Sequence, residues 1–281
     1  MKQFMLITNI FKDPALRLSR RIVSYIEDRG GRAGICVSNV EQTAEKDFEL
    51  SDIPEDTECI LVLGGDGTLI RAATRVESLH IPLIGVNMGT LGYLCELEES
   101  TVFSAIDALM KDQYMLEERI MLSGRPGNGD GEHLALNDVV IHWAGDLSML
   151  QLQVYVNGEF LTTYHADGII VATPTGSTGY SMSAGGPIVD PKARMLLLTP
   201  INAHDLNSQS IVLGVQDVVE IEVGSRSFQR DEIVSVSFDG DTIWHLKAGE
   251  RVRIVQASAR IQICKLSNQS FLEILRKKMQ R

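Results

Sequence analysis

The chain lacks any apolar run near the ~20 residues that span a bilayer as a helix, so no membrane-spanning helix is expected. Its four cysteines, Cys36, Cys59, Cys95 and Cys264, stand far apart without zinc-type spacing. No secretory leader is read, and together these absences predict a reducing cytoplasmic setting with each thiol as a small apolar core residue. The six histidines include no His-x-x-x-His pair, and no set of metal ligands is read from the sequence. Basic residues are the minority charge: 26 Lys and Arg against 37 Asp and Glu leave a net charge of −11. That balance argues against a nucleic-acid binder, which needs a basic face, and no apolar or basic membrane-facing patch is visible. An anionic small molecule stays possible, because local amides and a metal ion overcome the global field.

What is present reads as an ordinary globular protein. At 281 residues, 44% hydrophobic and 22% charged, the chain can bury a substantial core in two domains. Its organising stretch is 59–71, where the apolar run Cys59 to Leu63 enters Gly64-Gly65-Asp66-Gly67-Thr68. A short apolar run stopped by glycine fits a strand buried on both faces of a parallel sheet. The glycines let the backbone turn and bring amides close to a ligand, and a helix starting near Thr68 makes the turn suited to phosphate. An aspartate there repels phosphate unless it binds metal or accepts a proton, which points to a chemical role for Asp66. The competing reading is a helix cap in a tight turn.

Taken in order, residues 2–8 predict a first strand, and Pro14 opens a helix to about Arg29 on the spacing of Leu18, Ile22 and Ile26. Ala33–Val37 gives a second strand and 41–58 a polar, acidic surface segment. The strand 59–63, a helix to about Val76 and the strand Ile81–Val86 follow, the last ending in Asn87–Tyr93. This alternation predicts an open, mainly parallel, Rossmann-like α/β sheet, with ligands beyond the carboxyl ends of its strands. After a helix at 99–111 the pattern changes to strands at 114–122, 134–143, 149–157, 168–172, 210–213, 218–223, 233–238 and 251–256. Asn157-Gly158 and Asp239-Gly240 are hairpin turns, and 124–131 is a flexible hairpin tip. The expected organisation is an α/β domain at 1–99, joined again by 264–281, and an all-β domain of two packed sheets at 100–263. A helix over Ser267–Lys278, with Phe271, Leu272, Ile274 and Leu275 on its apolar side, is expected to pack back on the first domain.

Two further stretches point to binding. In Ala135–Ile141, Asn137 and Asp138 interrupt an apolar strand and need partners, either a ligand or neighbouring backbone; a bulge or strand-start cap is the alternative. Residues 173–187 hold three threonines, three serines and four glycines. Such a loop offers amides and hydroxyls to a nucleotide base and sugar, with Tyr180 able to stack on the base. His80, His133, His142, His204 and His245 read as surface or satisfied strand residues. Trp143, Trp244 and the Met195–Leu198 run read as core.

Together, Gly64–Thr68, Asn87–Tyr93 (Asn-Met-Gly-Thr-Leu-Gly-Tyr), Leu136-Asn137-Asp138, and Asp167-Gly168 with Thr173–Pro187 resemble the ATP–NAD kinase family over nearly the whole chain. The Gly-Gly-Asp-Gly-Thr turn is shared with diacylglycerol-type lipid kinases and related to phosphofructokinases; the Asn-Asp pair and the 173–187 loop narrow the choice. The resemblance implies phosphorylation of the 2′-hydroxyl of the adenosine ribose of NAD, giving NADP, with ATP and a divalent cation such as Mg²⁺, and in some bacterial members polyphosphate. It implies Asp66 as general base, Gly64, Gly65, Gly67 and Thr68 at phosphate, and Arg71 as a cationic partner. It places Tyr93, Asn137 and Asp138 on the adenosine, and Asp167, Thr178, Gly179, Tyr180, Ser181 and Ser183 on NAD, with Gly67 and Arg71 beside it. His165 lies where some members contact NAD. A homodimer or homotetramer built through the β domains is implied, with sites borrowing residues from a neighbouring subunit. The departures are Gly179 where alanine is common, Thr90 at a position often basic or asparagine, Ala203-His204-Asp205, and Asp241 where glutamine is frequent. A lipid or sugar kinase and a non-catalytic NADP sensor are the alternatives.

Overall fold

The computed structural model describes residues 1–38, 48–89, 92–127, 131–143, 149–204, 208–224, 234–266 and 270–280. The chain divides into two compact units, one of Met1–Glu118 with Arg260–Arg281 and one of Arg119–Ala259. The sequence suggests divisions at 99–100 and 263–264; the structure puts them inside two long strands that carry the chain from one unit to the other.

In the first unit, β1 (Gln3–Asn9), β2 (Arg32–Ser38), β3 (Cys59–Gly64) and β4 (Leu83–Asn87) form a parallel sheet in the order β2-β1-β3-β4. The short β5 (Leu97–Glu98) lies against β4. Every residue of β3 and β4 is buried, as a parallel strand covered on both faces requires. Helices α1 (Arg17–Glu27), α2 (Asp66–Val76) and α3 (Val102–Met110) connect the strands. Leu18, Ile22 and Ile26 share one face of α1 and enter a core with Phe4, Leu61, Ile84 and Ile106. The helix expected from Pro14 begins later. Pro14–Leu16 is a 3₁₀ turn in which Ala15 and Leu16 take left-handed φ values of 59° and 55°. The buried Asp13 carboxylate then accepts the amides of Leu18 (3.0 Å) and Ser19 (2.9 Å) and the Ser19 hydroxyl (2.6 Å), capping α1 from outside. The acidic 41–58 segment is not all solvated: Phe48 and Ile53 are buried around a 3₁₀ turn at Leu50–Asp52, and 41–47 lie outside the described residues.

β6 (Met115–Pro126) leads into the second unit. There β7 (His133–Ala135) pairs with β6. β8 (Asp138–Trp143), β9 (Leu150–Val156), β10 (Glu159–Ala166), β11 (Gly168–Ala172), a short helix α4 (Tyr180–Ser183), β12 (Met195–Ile201) and β13 (Ile211–Gly214) follow. β14 (Val219–Val223), β15 (Val234–Phe238), β16 (Asp241–Leu246) and β17 (Arg251–Lys265) complete the strands. One antiparallel sheet runs β13-β12-β11-β8-β15-β16, and β10-β9-β14-β17 forms a second antiparallel set. Alternating residues of both, such as Val139, Ile141, Ile169 and Val236 from one and Leu152, Val154, Ile221 and Val252 from the other, fill a common core.

The strand expected over 134–143 is two strands: β7 belongs with β6, β8 with the six-stranded sheet, and the chain changes partners at Leu136–Asn137. β10, β12 and β16 are strands the sequence reading did not name. Both hairpin dipeptides hold, with left-handed pairs at Asn157 (φ 53°), Gly158 (82°) and Asp239 (51°), Gly240 (93°). β17 continues from the second unit to pair in parallel with β4 in the first, Ile263 facing Leu83. It is followed by α5 (Phe271–Met279), whose Ser270 hydroxyl accepts the Glu273 amide. Leu272, expected on the apolar side of α5, is 69% exposed. Residues 128–130 of the hairpin tip and 267–269 of the closing helix lie outside the described residues.

Candidate active site

In the first unit, the carboxyl ends of three neighbouring strands present Asn9, Gly64 and Asn87. Gly65 then caps α2 in an extended conformation, and Asp66 is the helix's first residue. The Asp66 side chain does not cap its own helix. Its carboxylate instead accepts three successive amides of the next turn, those of Tyr93 (2.6 Å), Leu94 (3.2 Å) and Cys95 (3.2 Å). This disposes of the helix-cap reading and fixes where the carboxylate points. A Cβ on Gly92 would stand 2.0 Å from an Asp66 oxygen, so only glycine allows this approach. None of the turn's glycines is required by backbone torsion, since Gly64, Gly65 and Gly67 are not among the positive-φ glycines. A Cβ on Gly64 would meet Thr68 Oγ1 at 2.4 Å, whereas Gly65 and Gly67 face open space.

The first amides of α2 have no partner within the helix and point along its positive end. Thr68 contributes its amide there, because its side chain is buried and accepts a hydrogen bond from Asn9 Nδ2 at 3.4 Å. Asn87 donates to the Gly89 carbonyl at 2.9 Å, and its buried Oδ1 has no partner among the described residues. The Lys12 ammonium lies 3.7 Å from where a Gly89 Cβ would be. Asn9 and Lys12 escaped the sequence reading; the signal for Asn9 was a polar residue ending a buried strand, as Gly64 and Asn87 do. Arg71 lies on α2, partly buried and engaged with neighbours. Tyr93 carries the Lys278 ammonium 4.8 Å above its ring. Burial and the Asp66 carboxylate push the Cys95 thiol well up, so it remains protonated. Thr90 lies outside the described residues.

In the second unit, the joint between β7 and β8 is held from the β15–β16 turn. The Asp239 carboxylate accepts the amides of Leu136 (2.7 Å), Asn137 (2.8 Å) and Asp138 (3.1 Å), and the Asp239 amide donates to the Asp138 carbonyl at 3.0 Å. From the other side, Thr173 donates its hydroxyl to Leu136 O (2.6 Å) and its amide to Asn137 O (2.8 Å). Asn137 Oδ1 is buried without a partner among the described residues. Asp138 is 5% exposed, and burial together with the Asp239 charge pushes its carboxyl up to about 7. Asn137, Asp138, His142, Tyr180 and Asp239 line a cavity of about 520 Å³.

The 173–187 loop is more ordered than a connector. It holds a 3₁₀ turn at Gly176–Thr178 and then α4, with Tyr180 48% exposed at the cavity. A Cβ on Gly179 would lie 3.3 Å from the Gly176 carbonyl, 3.6 Å from Asn137 Nδ2 and 4.0 Å from Asp138 Oδ2, so the loop runs against the pair and leaves alanine only a tight fit. Thr178 turns its hydroxyl to Thr175 O at 3.3 Å, Ser181 is buried against Thr199 at 3.2 Å, and Ser183 is exposed. His165 and Asp167 sit at the β10–β11 corner, where Asp167 accepts Asn202 Nδ2 at 3.0 Å and the His165 carbonyl accepts the His204 amide at 2.8 Å. They are not among the residues lining the cavity. Asp205 lies outside the described residues.

Residues 4–114 match the family description "ATP-NAD kinase N-terminal domain" and 136–266 match "ATP-NAD kinase C-terminal domain". The chain is 63% identical over 279 residues to a protein of Agathobacter rectalis named NAD kinase, covering 99% of each. It is 40% identical over 294 residues to an NAD kinase of Lachnospira eligens, covering 99% of this chain and 100% of that one. Among solved structures it resembles yeast NADH kinase complexed with NADH, at 22% identity and TM-score 0.85, with 99% of this chain and 88% of that chain covered. It also resembles an NAD kinase from Archaeoglobus fulgidus in complex with ATP, at 22% identity and TM-score 0.76, with 99% and 98% covered.

Proposed function

The chain belongs to the ATP–NAD kinase family and is an enzyme of that family, and from this premise we propose that it moves the terminal phosphoryl group of ATP to the 2′-hydroxyl of the adenosine ribose of NAD, with Asp66 as general base. The observation that carries the role of Asp66 is its carboxylate, held by three amides at the positive end of α2. Oδ1 already takes the Leu94 and Cys95 amides, whereas Oδ2 takes only that of Tyr93 and keeps a lone pair for a hydroxyl proton. The hydroxyl needs that acceptor only as the new P–O bond forms, and alignment and charge neutralisation supply most of the acceleration. The open amides of Gly65, Gly67 and Thr68, with Gly64 leading into them and Arg71 beyond, suit the donor phosphates. Asn137 and Asp138 suit the adenosine ribose, and Tyr180 a base at the cavity rim.

A divalent cation such as Mg²⁺ would neutralise the donor's phosphate charge. Among the described residues no three His, Cys, Asp or Glu side chains cluster as a cation cage. A cation that dehydrates reluctantly and takes phosphate oxygens fits arrival with the donor instead. His165 and Asp167, off the cavity of their own chain, would serve a neighbouring subunit in a homodimer or homotetramer. The exposed Phe160 (59%) and Leu161 (40%) on the same strand support an interface there. Four free, buried cysteines suit a reducing cytoplasm.

The test is NADP formation from NAD, ATP and Mg²⁺ by the protein and by Asp66→Asn, with polyphosphate as a parallel donor. The variant is expected to lose about 10²–10⁴-fold in kcat. Equal rates would remove Asp66 as base and leave positioning as the source of catalysis.

A further inference from the structure

We propose that Asp239 is a positioning residue for the dinucleotide: its carboxylate clamps the Leu136–Asp138 backbone through three consecutive amides and thereby sets the direction in which Asn137 and Asp138 face their ligand. This rests on the reading of Asn137 and Asp138 as the adenosine-contacting pair. The chain leaves one strand pairing and enters another at Leu136–Asn137, so no ladder hydrogen bonds fix these residues from both sides. Thr173 holds the Leu136 and Asn137 carbonyls on one side, and the amides are fixed from a turn about a hundred residues on, where the left-handed Asp239 puts its side chain across the joint. The same turn returns an amide to the Asp138 carbonyl, which makes the contact reciprocal.

The consequence is legible in the two side chains Asp239 supports. Asn137 Oδ1 is buried with no partner, and the Asp138 carboxyl has no hydrogen-bonding partner among the described residues. Two buried polar groups left unpaired among the described residues are held ready for donors on a ligand, as the ribose hydroxyls and the adenine amino group supply. Such readiness costs stability and persists only where the backbone beneath cannot relax to satisfy the groups, and three amides into one carboxylate provide that rigidity. The titratable groups facing the cavity are Asp138 and His142 from β8, Tyr180 from α4, and Asp239 from the β15–β16 turn. Burial and the nearby negative charge of Asp239 raise the Asp138 carboxyl to about 7, so its protonation state changes in the working range. Removing the Asp239 charge therefore moves that midpoint down, though not to the ordinary value of 3.8, because burial remains.

The experiment compares KM for NAD and kcat between pH 5.5 and 8.5 for the full-length protein, Asp239→Asn, Asp239→Glu and Asp138→Asn. Asp239→Asn is expected to raise KM for NAD by ~10-fold or more, leave kcat within about threefold, and lower the pH midpoint of KM. Asp239→Glu keeps the charge but displaces the clamp, so KM rises while the midpoint stays near that of the unaltered protein. Asp239→Asn with unchanged KM and midpoint overturns the proposal, whatever it does to melting temperature. Asp138→Asn with unchanged KM overturns the adenosine reading itself, and this proposal with it. Calorimetry of NAD binding to the unaltered protein in two buffers of different ionisation enthalpy needs no variant to fold. A fraction of a proton exchanged on binding at pH 7 is expected, and none between pH 6 and 8 overturns the role given to the Asp138–Asp239 pair.

Discussion

On the proposed adenosine-binding role, Asp138 shows at the level of a single side chain how a ligand group is kept at the expense of stability. Its carboxyl, ordinarily at 3.8, is raised to about 7, first by burial and then by Asp239. An acid raised in the fold binds its proton more tightly folded than unfolded. Its stabilising contribution is thus fully present below the ordinary value and lost as pH climbs toward 7, the total change being on the order of 4 kcal/mol. Asp138→Asn should therefore raise the melting temperature at pH 8 relative to the unaltered protein and do little at pH 4, while NAD binding is lost. A melting difference independent of pH, followed by calorimetry at both values, would show that the raised carboxyl is not the cause. The sequence announced this residue only as a polar interruption of an apolar strand. The carboxylate that adds to the effect of its burial lies about a hundred positions away in a hairpin turn, and no local pattern connects the two.

Among elements, those whose own residues decide their conformation were legible. β3 is a buried apolar run ended by glycine, and the Asn157-Gly158 and Asp239-Gly240 turns take the left-handed pair such dipeptides favour. Elements decided by distant partners were not. β7 and β8 read as one strand because the break between them depends on which neighbour each finds. β12 read as generic core because its apolar Met195–Leu198 run, lying between two neighbouring strands, carries no period-two alternation. The α1 start was misplaced for a related reason: Pro14 looks like a first helical residue, but the cap comes from Asp13 folding over a left-handed Ala15–Leu16 step. Burial raises the Asp13 carboxyl, yet the hydrogen bonds from Ser19 and Leu18 outweigh it and leave it below its ordinary value. An acid lowered in the fold stabilises above its ordinary value and ceases to as pH falls through its folded one. Asp13→Ala should cost about 1–2 kcal/mol at pH 7 in urea unfolding, and the difference should shrink in acid. A constant difference down to pH 3 would assign the loss to packing alone.

For the whole molecule, the placement of Asp66 and Asp167 makes the assembly testable without a view of it. The parallel sheet of the first unit presents Asp66 beyond its strand ends, whereas Asp167 sits at a β10–β11 corner away from the cavity of its own chain. If a neighbour's Asp167 completes each site, a mixed dimer of Asp66→Asn and Asp167→Asn chains holds one site with both defects and one with neither. Random mixing makes half the dimers mixed, so about a quarter of all sites should be intact. NADP formation should then recover to about a quarter of the unaltered rate, although each variant alone is impaired. If Asp167 serves its own chain, every site in the mixed dimer keeps one defect and mixing restores nothing. Exchange of subunits, verified by native mass spectrometry on differently tagged chains, turns an absence of recovery into a rejection of the shared site. Because recovery comes only from a site built across two chains, the same assay reads the assembly and the chemistry together.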